Sequence, residues 1–149
     1  MSTQTLYIIK NGRIVTPDGL IKGDVHIGGG RIAALGESLS APPGSAEFDA
    51  DGLYVLPGFR DQHMHHMYGQ VEAGSSDIEH IARRAGEVAQ AKAKEGCSKF
   101  CLALFGGPVE QMERYLRGIR KYMDSPENGI EGAKLMGAFV EGTFINTDC

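Results

Sequence analysis

A chain of 149 residues, 42% of them hydrophobic and none of them Trp, is sized for about one ordinary domain with a conventional core. Its formal charge of −4 and pI near 5.7 give no general basic field, so neither nucleic acid nor an anionic membrane is expected as a partner. No apolar run approaches the roughly 20 residues that span a bilayer, and residues 1–5 lack the basic-then-apolar pattern of a secretion signal.

The expectation is a cytoplasmic protein. Cys97, Cys101 and Cys149 fit reduced thiols better than a disulfide framework.

From residue 6 to about 53, short β-prone runs alternate with turn chemistry. Runs at 6–9, 13–15, 20–27 and 32–35 are separated by Asn11-Gly12, Pro17-Asp18-Gly19 and Gly28-Gly29-Gly30, which predicts an antiparallel meander. The triple glycine joins two strand-like runs and opens no helix, so it reads as a hairpin turn rather than a phosphate cradle. Residues 38–46, with Pro42-Pro43-Gly44, predict a loop, and 48–55 one further strand with a turn at Asp51-Gly52.

After Pro57 the period changes to strand, helix, strand, helix, strand, the logic of βαβ units. The run ending in His63 and His65 is the first strand. Ser76-Asp77-Ile78-Glu79 has capping-box spacing, and Ile78, Ile81, Ala82, Ala85, Val88 and Ala89 then recur at helical spacing until Gly96. Residues 99–104 predict a compact strand; Cys97 and Cys101 share strand parity, and packing is expected of them rather than metal binding, since no further cysteine completes a set. Pro108 suits a first helical position, followed by an apolar stripe from Val109 to Met123 that Ser125-Pro126 ends. Residues 135–140 predict a buried strand running into Glu141. His26 and His80 read as surface or satisfied polar groups.

The chemistry gathers at two strand ends. Side chains alternate faces along a strand, so His63 and His65 point the same way with Cα atoms roughly 6.5 Å apart, and a metal held at about 2.0–2.1 Å from each imidazole fits between them. Asp61 shares their parity and is a candidate outer carboxylate to fix a ring tautomer; Gln62 and Met64 face away, and His66 is a loop neighbour. In a parallel barrel reacting groups collect at the C-terminal strand ends, where Glu141 also lies. Two imidazoles and a carboxylate suit a borderline cation such as Zn²⁺, with Fe²⁺ or Mn²⁺ as alternatives. Such an ion serves hydrolysis of an amide or related bond.

Three segments carry a resemblance: Ile8-Ile9-Lys10-Asn11-Gly12-Arg13-Ile14-Val15, Leu56-Pro57-Gly58-Phe59-Arg60-Asp61-Gln62-His63-Met64-His65, and Gly137-Ala138-Phe139-Val140-Glu141-Gly142-Thr143-Phe144-Ile145-Asn146. Together they resemble the amidohydrolase superfamily and, within it, the N-terminal part of the N-acetylglucosamine-6-phosphate deacetylases. The resemblance implies metal-ligand roles for His63, His65 and Glu141. It implies an α/β fold in which residues 1–53 are half of a small β-sandwich and 54–149 start a (β/α)₈ TIM barrel, with about three strands and two helices. It further implies a divalent-metal amide hydrolase that deacetylates an N-acetyl amino sugar phosphate, a small-molecule substrate.

Such a barrel takes about 250 residues, so the chain reads as truncated, with the family's general acid/base aspartate expected beyond Cys149 and no catalytic residue assigned within it. A homo-oligomer or a missing C-terminal half is the corresponding partner expectation. Several positions depart from the family pattern: residues 66–70 are not a glycine-rich loop, Phe139 stands where the family has histidine, and Thr143 where it has proline. Arg60 and Arg114 are the remaining cations for a sugar-phosphate clamp. The alternatives are another amidohydrolase, acting on a cyclic amide or as a deaminase, and a silent chain that acts only by association.

Overall fold

The computed structural model describes residues 6–65, 77–142 and 146, arranged as two compact units, Met1–Pro57 and Gly58–Cys149. The boundary falls after Pro57 rather than before residue 54, because Tyr54 and Val55 pair with the first strand.

The first unit is one five-stranded sheet: β1 (Tyr7–Thr16), β2 (Gly19–Gly28), β3 (Arg31–Gly36), β4 (Ala46–Asp49) and β5 (Tyr54–Val55), with β1 to β3 antiparallel as the meander predicts. Gly29 and Gly30 both take positive φ, the two-residue hairpin expected of the glycine cluster. Asn11-Gly12 is not a turn, as its sequence suggests. It is a bulge inside a continuous β1, with Asn11 at φ 57 and a register shift between Ile9 and Gly12. Residues 48–55 do not form one strand either: the Asp51-Gly52 turn splits them between β4 and β5, both parallel to β1.

Asp24 explains why the bulge is stable. Among the described residues it is the buried charged side chain, 2% exposed, and its carboxylate accepts the backbone N–H of Asn11 at 2.9 Å and of Leu39 at 2.9 Å, with Lys10 Nζ at 3.0 Å. These donors, the Asn11 N–H first, hold its carboxyl below the usual carboxylate range against the opposing effect of burial.

The second unit is a parallel sheet, β6 (Phe59–Met64), β7 (Cys97–Leu104) and β8 (Lys134–Val140), adjacent in that order and joined through α1 (Ile78–Lys94) and α2 (Val109–Met123). Ser76 lies outside the described residues; Asp77 is the N-cap of α1 and accepts the Glu79 N–H at 2.9 Å, so the cap sits one residue later than the capping box implies. Gly96, at φ 79, follows the C-cap Glu95. Pro108 is the N-cap of α2, not its first helical residue.

Phe100, Leu102, Leu135, Val88 and Ile119 build the core between sheet and helices. Two strand expectations need correction. Ser98 sits in a register irregularity of β7, which breaks the shared parity of the cysteines: Cys97 enters the core with Phe100, whereas Cys101 does not. In β8, Leu135 is buried, but Met136, Phe139 and Val140 are 47%, 44% and 44% exposed. The turn before β8 is tied down by Asn128, whose amide donates to the carbonyls of Met123 and Leu135 and accepts the Leu135 N–H at 2.8 Å. No helix among the described residues is long and apolar enough to cross a membrane.

Candidate metal centre

Parallel pairing of three consecutive strands puts three chain ends at one edge, because each strand of such a sheet runs the same way. Met64 pairs with Leu102, Leu102 with Ala138, and Leu104 with Val140. Phe105 after β7 and Glu141 after β8 are therefore level, and His65, after β6, is level with Ala103 and Phe139, two residues earlier on those strands. The Glu141 N–H donates to the Leu104 carbonyl at 2.9 Å, fixing the start of that loop against the central strand.

At this edge the side chains predicted as ligands converge. His63 Nε2 and His65 Nε2 lie 3.0 Å apart; His65 Nε2 is 2.9 Å from Glu141 Oε1, and His63 Nε2 contacts the same oxygen. The three donor atoms all fall within 4.8 Å of one another. Ligand atoms around a tetrahedral cation at about 2.0–2.1 Å are themselves about 3.3 Å apart, so the nitrogen spacing is close to that of a chelating pair. The donor chemistry, two imidazoles and a carboxylate, also fits a borderline divalent cation. The imidazoles are about half exposed and the carboxylate is 22% exposed.

Asp61 is held elsewhere than its parity suggests. A register shift between Asp61 and Met64 breaks the alternation, and Asp61 Oδ1 accepts the backbone N–H of His63 at 3.2 Å, not an imidazole, while Oδ2 lies 3.6 Å from Lys92 Nζ. Met64 turns into the helix-side core as expected. His65 Nδ1 is buried with no hydrogen-bond partner among the described residues. Arg60 is at the opposite, N-terminal end of β6 and Arg114 is on α2. His66 and Thr143 lie outside the described residues. His80 Nδ1 meets an Arg83 guanidinium nitrogen at 2.9 Å, but His26 Nε2, expected to be satisfied, is buried with no partner among the described residues.

Two residues at the site carry no signal as ligands in the sequence. The Phe139 ring stacks on His63, centroids 4.3 Å apart at 25°, and the Phe105 ring stacks on His65, 4.7 Å apart at 27°. Phe139 is visible in the sequence as a departure from the family pattern; Phe105 sits in a loop that the periodicity leaves unassigned.

No family model matches the chain. N-acetylglucosamine-6-phosphate deacetylase of Bacillus subtilis (strain 168) is 29% identical over 143 residues, which cover 93% of this chain and 34% of that protein. L-hydantoinase of Paenarthrobacter aurescens is 35% identical over 75 residues, 46% of this chain and 16% of that protein. The crystal structure of N-acetylglucosamine-6-phosphate deacetylase from Pasteurella multocida shares the fold, with a TM-score of 0.76 at 19% identity over 96% of this chain and 36% of that one. The chain thus spans about a third of the length of the deacetylases that it matches. Its sequence and structural neighbours point to the amidohydrolase family, and over nearly all its length the chain is like a third of an N-acetylglucosamine-6-phosphate deacetylase.

Proposed function

We propose that His63, His65 and Glu141 hold a divalent cation, Zn²⁺ foremost, and that the chain supplies this part of the site of a metal-dependent amide hydrolase. The observation that carries the reading is the convergence of the three donor atoms within 4.8 Å at the C-terminal edge of the parallel sheet. A cation bound there supplies Lewis acidity, lowering the pKa of a water toward about 7 and polarising a carbonyl. The chain's own contribution is orientation: β6 aims two imidazoles at one point, and the Leu104 carbonyl fixes the backbone from which Glu141 reaches them. General acid/base work falls to a group outside this set.

The substrate reading is an N-acetyl amino sugar phosphate, deacetylated at its amide. The match to a deacetylase across 93% of the chain supports it. A second reading, hydrolysis of a cyclic amide, is supported by the local match to L-hydantoinase over 75 residues. In both readings residues 58–149 contribute three strands and two helices of a (β/α)₈ barrel and the first unit contributes part of a β-sandwich.

Metal content per purified chain, measured by elemental analysis for the unsubstituted protein, His63→Ala and Glu141→Ala, tests the site. About one divalent ion per chain, lost in both variants, is the expected result. An ion retained in both variants rules this donor set out. A panel of N-acetyl sugar phosphates and hydantoins, offered to a form with the relatives' full length, separates the two substrate readings.

A further inference from the structure

Phe105 and Phe139 are 67% and 44% exposed, and neither belongs to the core between sheet and helices. Each instead lies flat against an imidazole. We propose that these two phenyl rings are positioning residues that bracket His63 and His65 and hold the imidazole planes in the orientation a divalent cation requires; this rests on the metal reading above.

The need for such brackets follows from side-chain freedom. A strand fixes where Cβ points, yet the second torsion of histidine is broad and roughly two-fold. A half-exposed imidazole at a strand end therefore rotates unless something covers its face. Stacking covers a face while leaving the edge, with Nε2, free to point inward. The arrangement does this twice: both rings are covered on a face, and the Nε2 atoms converge at 3.0 Å.

The brackets are also tied to the third ligand. Phe139 comes two residues before Glu141 on the same strand end, and Phe105 follows Leu104, whose carbonyl accepts the Glu141 N–H. One backbone connection therefore sets the carboxylate and both aromatic faces together. Phe139 is the Cα partner of Ala103 on β7. Ala103, 7% exposed, is small enough for rings from β6 and β8, which are not sheet neighbours, to meet over the central strand. Apolar faces beside the imidazoles further limit water at the site, an outer-shell effect that tunes metal affinity.

The test is Zn²⁺ binding by calorimetry on the full chain and on Phe105→Leu, Phe139→Leu and Phe139→Tyr. Circular dichroism serves as the check on folding, and the ring-proton NMR shifts of His63 and His65 report the stacking without metal. Leucine keeps apolar bulk and removes the stacking face; tyrosine keeps the face. Each Leu variant is expected to bind about threefold to tenfold more weakly. Phe139→Leu also moves the His63 ring protons out of the phenyl ring current, and Phe139→Tyr restores both readouts. Unchanged affinity in both Leu variants, with the unsubstituted chain binding normally, overturns the bracket and leaves the metal site standing. Equal weakening by Leu and Tyr at position 139 overturns it as well, since the ring face is then irrelevant. No binding by the unsubstituted chain, or binding that survives His63→Ala, overturns the metal reading and the bracket with it.

Discussion

His63 and Glu141, 78 residues apart in the chain, meet through Nε2 and Oε1 at the edge of a three-stranded parallel sheet. A ligand that binds this folded pair and not the unfolded chain stabilises by mass action, by about 2.7 kcal/mol at one hundred times its dissociation constant. Thermal melts with increasing Zn²⁺ are therefore expected to rise for the unsubstituted chain and stay flat for Glu141→Gln, which keeps the shape of the side chain but loses its charge. A full shift in Glu141→Gln would show that the carboxylate is not a ligand.

Asp61 gives a second, discriminating outcome. Its Oδ1 accepts the backbone N–H of His63, a bond that an Asn side-chain carbonyl can also accept. Asp61→Asn is thus expected to bind metal within about twofold of the unsubstituted chain, while Asp61→Ala, which frees that stretch of β6, binds several-fold more weakly. The ion pair with Lys92 is partly exposed and contributes little. Equal losses in Asn and Ala would restore a role for the charge.

The order of elements after Pro57 was legible because most elements carry their own period: an apolar face at three and four residues for α1 and α2, compact largely apolar runs for β7 and β8. The clustering of His63, His65 and Glu141 was legible for a related reason, since these residues stand at or near strand ends. What escaped depends on contacts across the sequence. Asn11-Gly12 has the composition of a hairpin turn, and partners distant in sequence, the carboxylate of Asp24 13 residues later and the backbone of residues 50–53, hold the chain extended through it. The parity of Asp61 and of the cysteine pair failed at register shifts between β6 and β7, which local pattern does not encode. Phe105 carries no local signal because its partner, His65, follows another strand.

Asp24 makes the first unit sensitive to acid. Its folded-state pKa is lowered, chiefly by the Asn11 N–H, relative to about 3.9 in an unfolded chain. Its contribution is therefore present in full well above that value, declines as pH falls below it, and is gone once pH passes the folded-state pKa. Asp24→Asn places an amide NH₂ against a backbone N–H donor, and each buried donor left unpaired costs about 1–3 kcal/mol. Urea midpoints from pH 7 to pH 2 are expected to show a large gap between the two proteins at neutral pH that closes in acid. A gap constant across this range would mean that the charge of Asp24 contributes nothing.

Two glycines on the facing helices are expected to respond differently to the same substitution. Alanine is favoured over glycine in a helix interior by about 1 kcal/mol, so each change starts with a gain. At Gly118 of α2, an added Cβ meets Ile81 Cγ2 at 2.4 Å and Ile81 Cβ at 2.5 Å, with the Ile78 carbonyl at 3.2 Å. Ile81 Cβ is fixed by the α1 backbone and cannot swing aside, so the helices must separate, at a cost of about 1–3 kcal/mol for overpacking. At Gly86 of α1 the added Cβ meets the edge of the Tyr122 ring at 3.1 Å, a contact that a small ring movement relieves. Gly118→Ala should therefore be clearly destabilised in chemical denaturation, and Gly86→Ala close to neutral. Equal destabilisation of the two would show that α1 and α2 do not approach as closely at Gly118 and Ile81 as the packing of this unit requires.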